Sequence, residues 1–163
     1  MKKLILMLAL VLPMLASAQK IAYISSQEVM AVMPETKKMG EKLDSVQTYY
    51  ENQLANMQEE FNKKVVEFQQ QQATMSAGVR EYHQQDLARM EQSIQQYYQT
   101  LQADLQAKQI EFLQPIQTKL LNAINKVAEA QGCTYVVDRP TVLYVGPDAL
   151  DLTAAVKAEL GIK

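Results

Sequence analysis

The sequence predicts an α+β protein that is mostly helical, with a long antiparallel helical hairpin leaving a small β body. Three observations support this fold class: short strand-like apolar runs near both ends, a long apolar helical pattern between them, and near mirror symmetry of that pattern. The pattern covers residues 36–131, far more than the roughly 8–20 residues usual for globular helices. We therefore predict a single domain over residues 19–163, whose body comprises residues 19–35 and 132–163.

The first 18 residues have the pattern of a secretory signal peptide. Two lysines precede an apolar run over residues 4–15, and the small residues Ala16, Ser17 and Ala18 follow it. The apolar run is too short for a membrane span, and Pro13 interrupts it. We predict export with cleavage after Ala18, which removes both lysines and changes the formal net charge from −2 to −4.

The residues that follow predict a strand and then a short helix. Residues 20–24 form an apolar run typical of a strand. Ser25 followed by Glu28 matches a capping box, which predicts a helix start. Pro34 restricts the residue before it and so ends this helix. Thr36 is the predicted N-cap of the outgoing arm.

Apolar positions in the two arms lie at equal distances from a point between Ala77 and Gly78. Residues that face each other across an antiparallel helix pair are equidistant from the turn, so the symmetry predicts a hairpin with its tip near 77–78. Gly78 offers the backbone freedom for the reversal, and polar Gln109 interrupts the pattern. The predicted seam consists of Leu43, Val46, Tyr50, Leu54, Met57, Phe61, Val65, Phe68, Leu87, Met90, Ile94, Tyr98, Leu101, Leu105, Phe112 and Ile116.

The spacing within each arm predicts nearly straight helices. Steps of three, four and four residues repeat every eleven residues, or about 3.67 residues per turn. This value is close to that of a straight α-helix, unlike a heptad coiled coil. At about 1.5 Å per residue, each arm should extend roughly 60 Å. Because one helix pair of an ordinary bundle can carry the same stripe, that alternative stays open.

The end of the return arm is predicted to pack on the body. Pro115 removes a backbone hydrogen bond and predicts a kink. Beyond the arm, Gly132 is a suitable helix stop. The stripe suited to packing on a sheet consists of Leu113, Leu120, Ile124 and Val127.

The C-terminal residues predict a strand hairpin and a last helix. The runs 133–137 and 141–145 read as two strands, with Pro140 at the start of the second. Asp151 is the predicted cap of a helix that carries Leu152 and Val156 on one side. Three short strands cannot close a barrel and leave open edges, so we expect copies of the chain to associate through them.

The composition argues against several classes of function. A mildly acidic exported chain lacks the basic surface of a nucleic-acid-binding protein. Cys133 is the single cysteine and begins an apolar run, which predicts a small buried hydrophobe. His83, the single histidine, has no cysteine near it in sequence and is predicted to lie at the surface. With no phosphate loop, metal cluster or nucleophile–base motif, we predict no enzymatic activity and no cofactor.

The layout and the closing segment resemble the Skp/OmpH periplasmic chaperones. The likeness covers essentially the whole chain after the signal peptide. It is carried by the export signal, KIAYIS at residues 20–25, the long hairpin, and AINKVAEAQGCTYVVDRPTVLYVGPDALDLT at residues 123–153. The arms match in layout more than in sequence.

The resemblance implies a homotrimer with a shared central body and three helical hairpins around a cavity. It implies a periplasmic, ATP-independent holdase that binds unfolded outer-membrane proteins and prevents their aggregation. It implies no catalytic residue. The best-known members are strongly basic whereas this chain is acidic, which argues against contact with lipopolysaccharide or membrane.

Adaptable, partly apolar side chains off the seam are the predicted client contacts. They are Tyr49, Val66, Met75, Val79, Tyr82 and Tyr97. Each of them is also compatible with an ordinary exposed side chain of no function. The same periodicity supports a second hypothesis, in which the hairpin is a spacer or docking rod of a structural envelope protein.

Overall fold

The computed structural model describes residues 19–162, and the predicted signal peptide lies outside them. They divide into two compact units, a body of residues 19–32 and 119–162 and a hairpin of residues 33–118. The elements are β1 (Ile21–Ile24), α1 (Ser26–Val32), α2 (Pro34–Gln71), α3 (Ala77–Ala130), β2 (Tyr135–Asp138), a 3-10 turn (Arg139–Thr141), β3 (Leu150–Asp151) and α4 (Thr153–Glu159). The predicted fold class, mostly helical with a small strand body, is confirmed.

The body contains a parallel three-stranded sheet in the order β2-β1-β3. Ala22 of the central strand lies opposite Val136 in β2 and Leu150 in β3. Because side chains alternate between the faces of a sheet, Ala22 and Ile24 are buried together while Ile21 is exposed. The short apolar strand predicted at residues 20–24 is therefore the centre of the sheet.

The strand hairpin predicted over residues 133–145 is wrong. The chain enters the 3-10 turn after β2, and its third strand is β3, parallel to β1. Pro140 has no N–H to donate to a sheet, and here it lies in the first turn of that 3-10 helix. Leu143 and Tyr144, which were expected in a strand, are almost wholly exposed.

Polar side chains join the ends of the body elements. The Asp138 carboxylate accepts a hydrogen bond from the Ser26 N–H at 3.0 Å, and the Thr153 hydroxyl accepts one from the Ser25 N–H at 3.0 Å. Glu28 pairs with Lys157 at 2.6 Å, so the predicted Ser25–Glu28 capping box does not form. Asp138, distant in sequence, takes the place of the local cap.

The last helix begins at Thr153 with Leu152 as its N-cap, so the predicted cap Asp151 lies one residue before the cap position. Asp151 still supports the start of the helix. Its carboxylate accepts the Thr153 N–H at 2.8 Å. Burial raises the pKa of Asp151, but hydrogen bonds from Thr153 and from the Tyr23 hydroxyl hold that pKa below its usual value. The carboxylate is therefore stabilised in its charged form at the start of α4.

The core of the body lies where α1 and α4 pack together and where the end of α3 is buried. Most of the predicted stripe is buried there, and the structure groups residues 119–130 with the body rather than with the arm. Gly132, at φ +65°, ends α3 as predicted. The buried apolar residues of the body are Ala22, Ile24, Val29, Leu120, Ala123, Ile124, Val127, Leu152 and Val156.

The hairpin is antiparallel, as the order of its contacts shows. Along α2 the residue numbers rise while those of their α3 partners fall. The contacts that join the two helices are those of Lys42 with Phe112, Tyr50 with Asp104, Lys64 with Asp86, and Phe68 with His83. With 38 residues, α2 is about 57 Å long.

The tip lies a few residues earlier than predicted, because the turn occupies residues 72–76. Gly78 is inside the first turn of α3 and does not have positive φ. Local polar groups position the reversal: the Thr74 hydroxyl donates to the Gln71 carbonyl at 2.9 Å, and Ser76 accepts from the Val79 N–H at 3.4 Å. Side chains of this kind compete with helix continuation and favour turns and caps.

The start of the outgoing arm also differs from the prediction. Pro34 is in the first turn of α2, which follows from its fixed φ and its missing N–H. The backbone N–H of Thr36 donates to the Met33 carbonyl at 3.0 Å, so Thr36 is inside the helix and is not its N-cap. At the other end of the hairpin, α3 runs through Pro115 without ending.

Replacing Ile24 by Ala should lower the free energy of unfolding by about 2–5 kcal/mol, because it leaves a cavity beside fully buried neighbours. Ile21→Ala is the matched control in the same strand, with an expected loss below about 1 kcal/mol since Ile21 is exposed. Urea unfolding followed by circular dichroism measures both. Equal losses would contradict the assignment of the two faces of β1.

Candidate functional site

The surface of the hairpin is the candidate functional site, and its seam is shallow. Of the sixteen predicted seam residues, Ile116 is buried and fourteen are half-buried. The exception is Tyr98, whose side chain is 51% exposed. Two helices alone shield only one stripe of each other, so most of each helix surface stays in contact with water.

A hydrogen-bonded tyrosine cluster holds the middle of the hairpin. The Tyr50 hydroxyl donates to the Asp104 carboxylate at 2.6 Å. The rings of Tyr49 and Tyr97 lie 5.6 and 5.9 Å from the ring of Tyr50. The hydrogen bond to Asp104, together with burial and the negative charge of that carboxylate, raises the pKa of Tyr50 to about 12. Tyr50 therefore keeps its proton to a higher pH than an ordinary tyrosine does.

A second cluster lies near the tip. Lys64 binds Asp86 at 2.7 Å, and this hydrogen bond lowers the pKa of Asp86 below its usual value. His83, predicted at the surface, is half-buried, with its ring 6.1 Å from Phe68 and 5.8 Å from Tyr82. The aromatic contacts of His83 explain its partial burial.

The structure places the six predicted client-contact residues in two groups. Four of them, Tyr49, Val66, Val79 and Tyr82, are between 47% and 61% exposed. Met75 and Tyr97 are half-buried, and Tyr97 packs on Tyr50. Their contact with a client stays a prediction.

Sequence reasoning missed two exposed apolar residues of the hairpin. Tyr98 was assigned to the seam because it fits the eleven-residue spacing, although Tyr97 is the residue that packs on Tyr50. Ile110 is 63% exposed. The sequence offered one indication that Ile110 is exposed: it follows Gln109, where a polar residue interrupts the seam pattern.

The body contains a cavity of about 540 Å³, which the half-buried Cys133 helps to line. Polar groups reach it from Ser26, Asn125 and Asp138. Across residues 19–162, no group of three or more His, Cys, Asp or Glu side chains is arranged to hold a metal ion. No helix in this part of the chain is long and apolar enough to cross a membrane.

The Tyr50–Asp104 hydrogen bond predicts a loss of stability at high pH. Below pH 10 the Tyr50 hydroxyl is protonated in both the folded and the unfolded state. Between about pH 10 and 12 the unfolded state loses this proton while the folded state retains it, so the free energy of unfolding falls. Tyr50→Phe should reduce this dependence, as measured by urea unfolding at pH 9 and pH 11.

Tyr98→Phe is the control for that substitution, because the Tyr98 side chain is exposed and its hydroxyl makes no hydrogen bond within residues 19–162. Its pH dependence should match that of the unchanged protein. The interpretation fails if Tyr50→Phe and Tyr98→Phe change the dependence by the same amount.

Comparisons with known proteins agree with this architecture. The chain is 26% identical to the Chaperone protein Skp of Pectobacterium atrosepticum over 152 residues, covering 91% of this chain and 92% of the relative. It is also 26% identical to the Chaperone protein Skp of Yersinia enterocolitica over 149 residues, covering 91% of this chain and 90% of that relative.

A structural comparison supports the fold. The crystal structure described as an OmpH-like outer membrane chaperone from Caulobacter crescentus CB15 matches with a TM-score of 0.78 and 20% identity, over 86% of this chain and 83% of that one. Residues 20–160 match the profile of the family described as Outer membrane protein (OmpH-like). That match covers all but a few of the described residues, and the chain therefore belongs to the OmpH-like family.

Proposed function

We propose that this protein is an ATP-independent periplasmic holdase chaperone, which binds unfolded outer-membrane proteins between helical arms and prevents their aggregation. The observation that carries the proposal is the OmpH-like match over residues 20–160, on a chain whose hairpin presents exposed apolar side chains. The relatives from Pectobacterium and Yersinia are named as chaperones. No catalytic step and no cofactor are part of the proposal.

The surface of the hairpin suits weak binding of many sequences. Its exposed tyrosines combine apolar area with a polar end, and its exposed aliphatic side chains Val66, Val79 and Ile110 add adaptable contacts. Each contact is small, so affinity depends on several of them acting together. Such binding is reversible without a nucleotide, as a holdase requires.

We also propose that the working form is a homotrimer assembled through the body. The outer edges of β2 and β3 have no strand partner within the described chain, and open edges of this kind favour pairing with another chain. The body also exposes large apolar residues, among them Val32, Leu121, Tyr135, Leu143 and Tyr144. Association of copies would cover both features.

The proposed assembly predicts the mass at which the protein sediments. The protein lacking residues 1–18 should sediment as a trimer at micromolar concentration, and Leu143→Ser with Tyr144→Ser should shift it to lower mass because apolar contact area is lost. The matched control is Val79→Ser with Tyr82→Ser, an aliphatic and tyrosine pair in the hairpin, which should leave the mass unchanged. A monomer before any substitution contradicts the proposed assembly.

The holdase proposal predicts that this protein keeps an unfolded porin soluble in the absence of ATP. Changing the six predicted client contacts to Ser should raise the concentration needed for half-suppression of aggregation about tenfold, equivalent to about 1.4 kcal/mol. Light scattering after dilution of the porin from urea measures this. Circular dichroism verifies that the variant keeps its helices.

The control variant changes six exposed glutamines of the same arms to Ser, which removes polar rather than apolar surface. Suitable positions are Gln47, Gln69, Gln70, Gln84, Gln106 and Gln114. This variant should suppress aggregation as well as the unchanged protein. If the unchanged protein leaves the porin aggregation untouched, the holdase proposal fails and the spacer hypothesis is favoured.

A further inference from the structure

The middle of the hairpin carries a belt without charge. Residues 52–58 of α2 and residues 92–103 of α3 contain no Asp, Glu, Lys or Arg. The stretch 68–79 at the tip and the stretch 112–118 also lack charged residues. We call residues 52–58 and 92–103 the uncharged belt. They lie at the same level of the hairpin, because one cleft is lined by residues of both.

This cleft has a volume of about 400 Å³ and opens at the surface. Its volume is within the range of about 300–1,000 Å³ typical of ligand clefts. Leu54 and Ile94 are half-buried and, with the exposed ring of Tyr98, form its apolar part. The six residues that line it are Leu54, Gln58, Ile94, Gln95, Tyr98 and Gln99.

The amides of the cleft glutamines make no hydrogen bond to the hairpin itself, in contrast to those of some glutamines outside the belt. The amides of Gln47 and Gln85 each donate to a glutamate one turn away, at 2.8 and 3.3 Å. Within residues 19–162 no hydrogen bond engages the side chains of Gln58, Gln95 or Gln99. Each of these amides offers both a donor and an acceptor, which are the groups that an extended peptide backbone needs.

The charged residues that border the belt indicate which kind of client segment can bind in the cleft. The first charged residues beyond its ends are Glu51, Glu59, Glu91 and Asp104, all acidic. A charged client residue in the cleft would lose hydration without an opposite charge in the belt, and an acidic one would also be repelled at its borders. An uncharged segment meets neither penalty.

We propose that the cleft of the uncharged belt binds extended, uncharged client segments that carry an aromatic or large aliphatic residue. The apolar side chain lies on Leu54, Ile94 and Tyr98, and the peptide backbone pairs with the glutamine amides. Strands of outer-membrane barrels alternate apolar and polar residues and carry aromatic girdles, so they supply such segments. This inference rests on the proposed holdase function and assigns it a site and a chemistry.

The test uses a capped, uncharged peptide of about ten residues, the length of a barrel strand, with alternating Thr and Leu, one central Tyr and a neutral fluorophore. Binding to the protein lacking residues 1–18 is followed by fluorescence anisotropy. Gln95→Glu with Gln99→Glu should weaken binding about tenfold, because the amide donors are lost and charge enters the cleft. Affinity for the unchanged protein should vary less than about twofold between low and high salt, because no ion pair forms.

The matched control is Gln106→Glu with Gln109→Glu, which adds the same charge to the same helix outside the belt. It should leave the affinity within about twofold of that of the unchanged protein. Tyr98→Ser should also weaken binding, and Tyr98→Phe should restore it, since both rings supply similar apolar area. Equal losses in the belt and control variants would overturn the assignment, because they would reflect general repulsion.

The porin assay separates this inference from the function on which it rests. Suppose that the unchanged protein suppresses porin aggregation. If it does not bind the peptide, or if the belt variant binds the peptide as tightly as the unchanged protein does, the belt inference is wrong and the holdase function stands. If the unchanged protein does not suppress aggregation, the holdase function fails. If the belt variant changes the sedimenting mass with unaltered peptide affinity, the cleft belongs to a contact between copies, and the inference is overturned.

Discussion

The parallel pairing of β1 with β2 is the constraint on which the rest of the structure depends. Ile21 lies opposite Tyr135 in this pair, so two segments separated by most of the chain must meet side by side. Parallel strands cannot be joined by a tight turn. The chain between them has to leave and return, and a long antiparallel helical hairpin accomplishes this with most backbone groups paired inside helices.

The two units have different kinds of interior. In the body, Ile24, Val29, Leu152 and Val156 are almost completely buried. In the hairpin, among the described residues, only Met33 and Ile116 reach comparable burial, and they lie close to its two chain ends. Regions with few buried apolar contacts open more readily than a packed core. In the proposed holdase, an arm of this kind would adapt to clients of different shape while the body remains folded.

The charge balance of this protein bears on how it would bind clients in the proposed function. The chain carries 18 acidic and 16 basic residues, so attraction to acidic clients cannot be the main source of affinity. In the proposed holdase, tyrosine, glutamine and aliphatic side chains would provide apolar contact and amide hydrogen bonds instead, and these depend little on salt. The hairpin therefore fits a client surface that is uncharged rather than one that is acidic.

The sequence by itself determined the mostly helical fold class, the antiparallel arms, the strand at residues 20–24 and the approximate start of the last helix near Asp151, because these follow from local periodicity and local hydrogen bonds. The sequence pattern also indicated that Leu120, Ile124 and Val127 are buried. It did not determine the position of the tip, since Ser76 and Thr74 stabilise the turn before Gly78. Helical spacing also placed Tyr98 in the seam, but in the structure its side chain is exposed and Tyr97 packs on Tyr50 instead.

Only the tertiary structure decided the topology of the body. The apolar runs at 133–137 and 141–145 suggest a hairpin, but β1 lies between β2 and β3 and pairs with both of them. The cap of α1 comes from Asp138, more than one hundred residues away, which no local motif reveals. The cleft of the uncharged belt joins residues of two helices in the same way. Local propensity follows from neighbours in sequence, whereas strand order, distant caps and shared clefts depend on which segments meet in space.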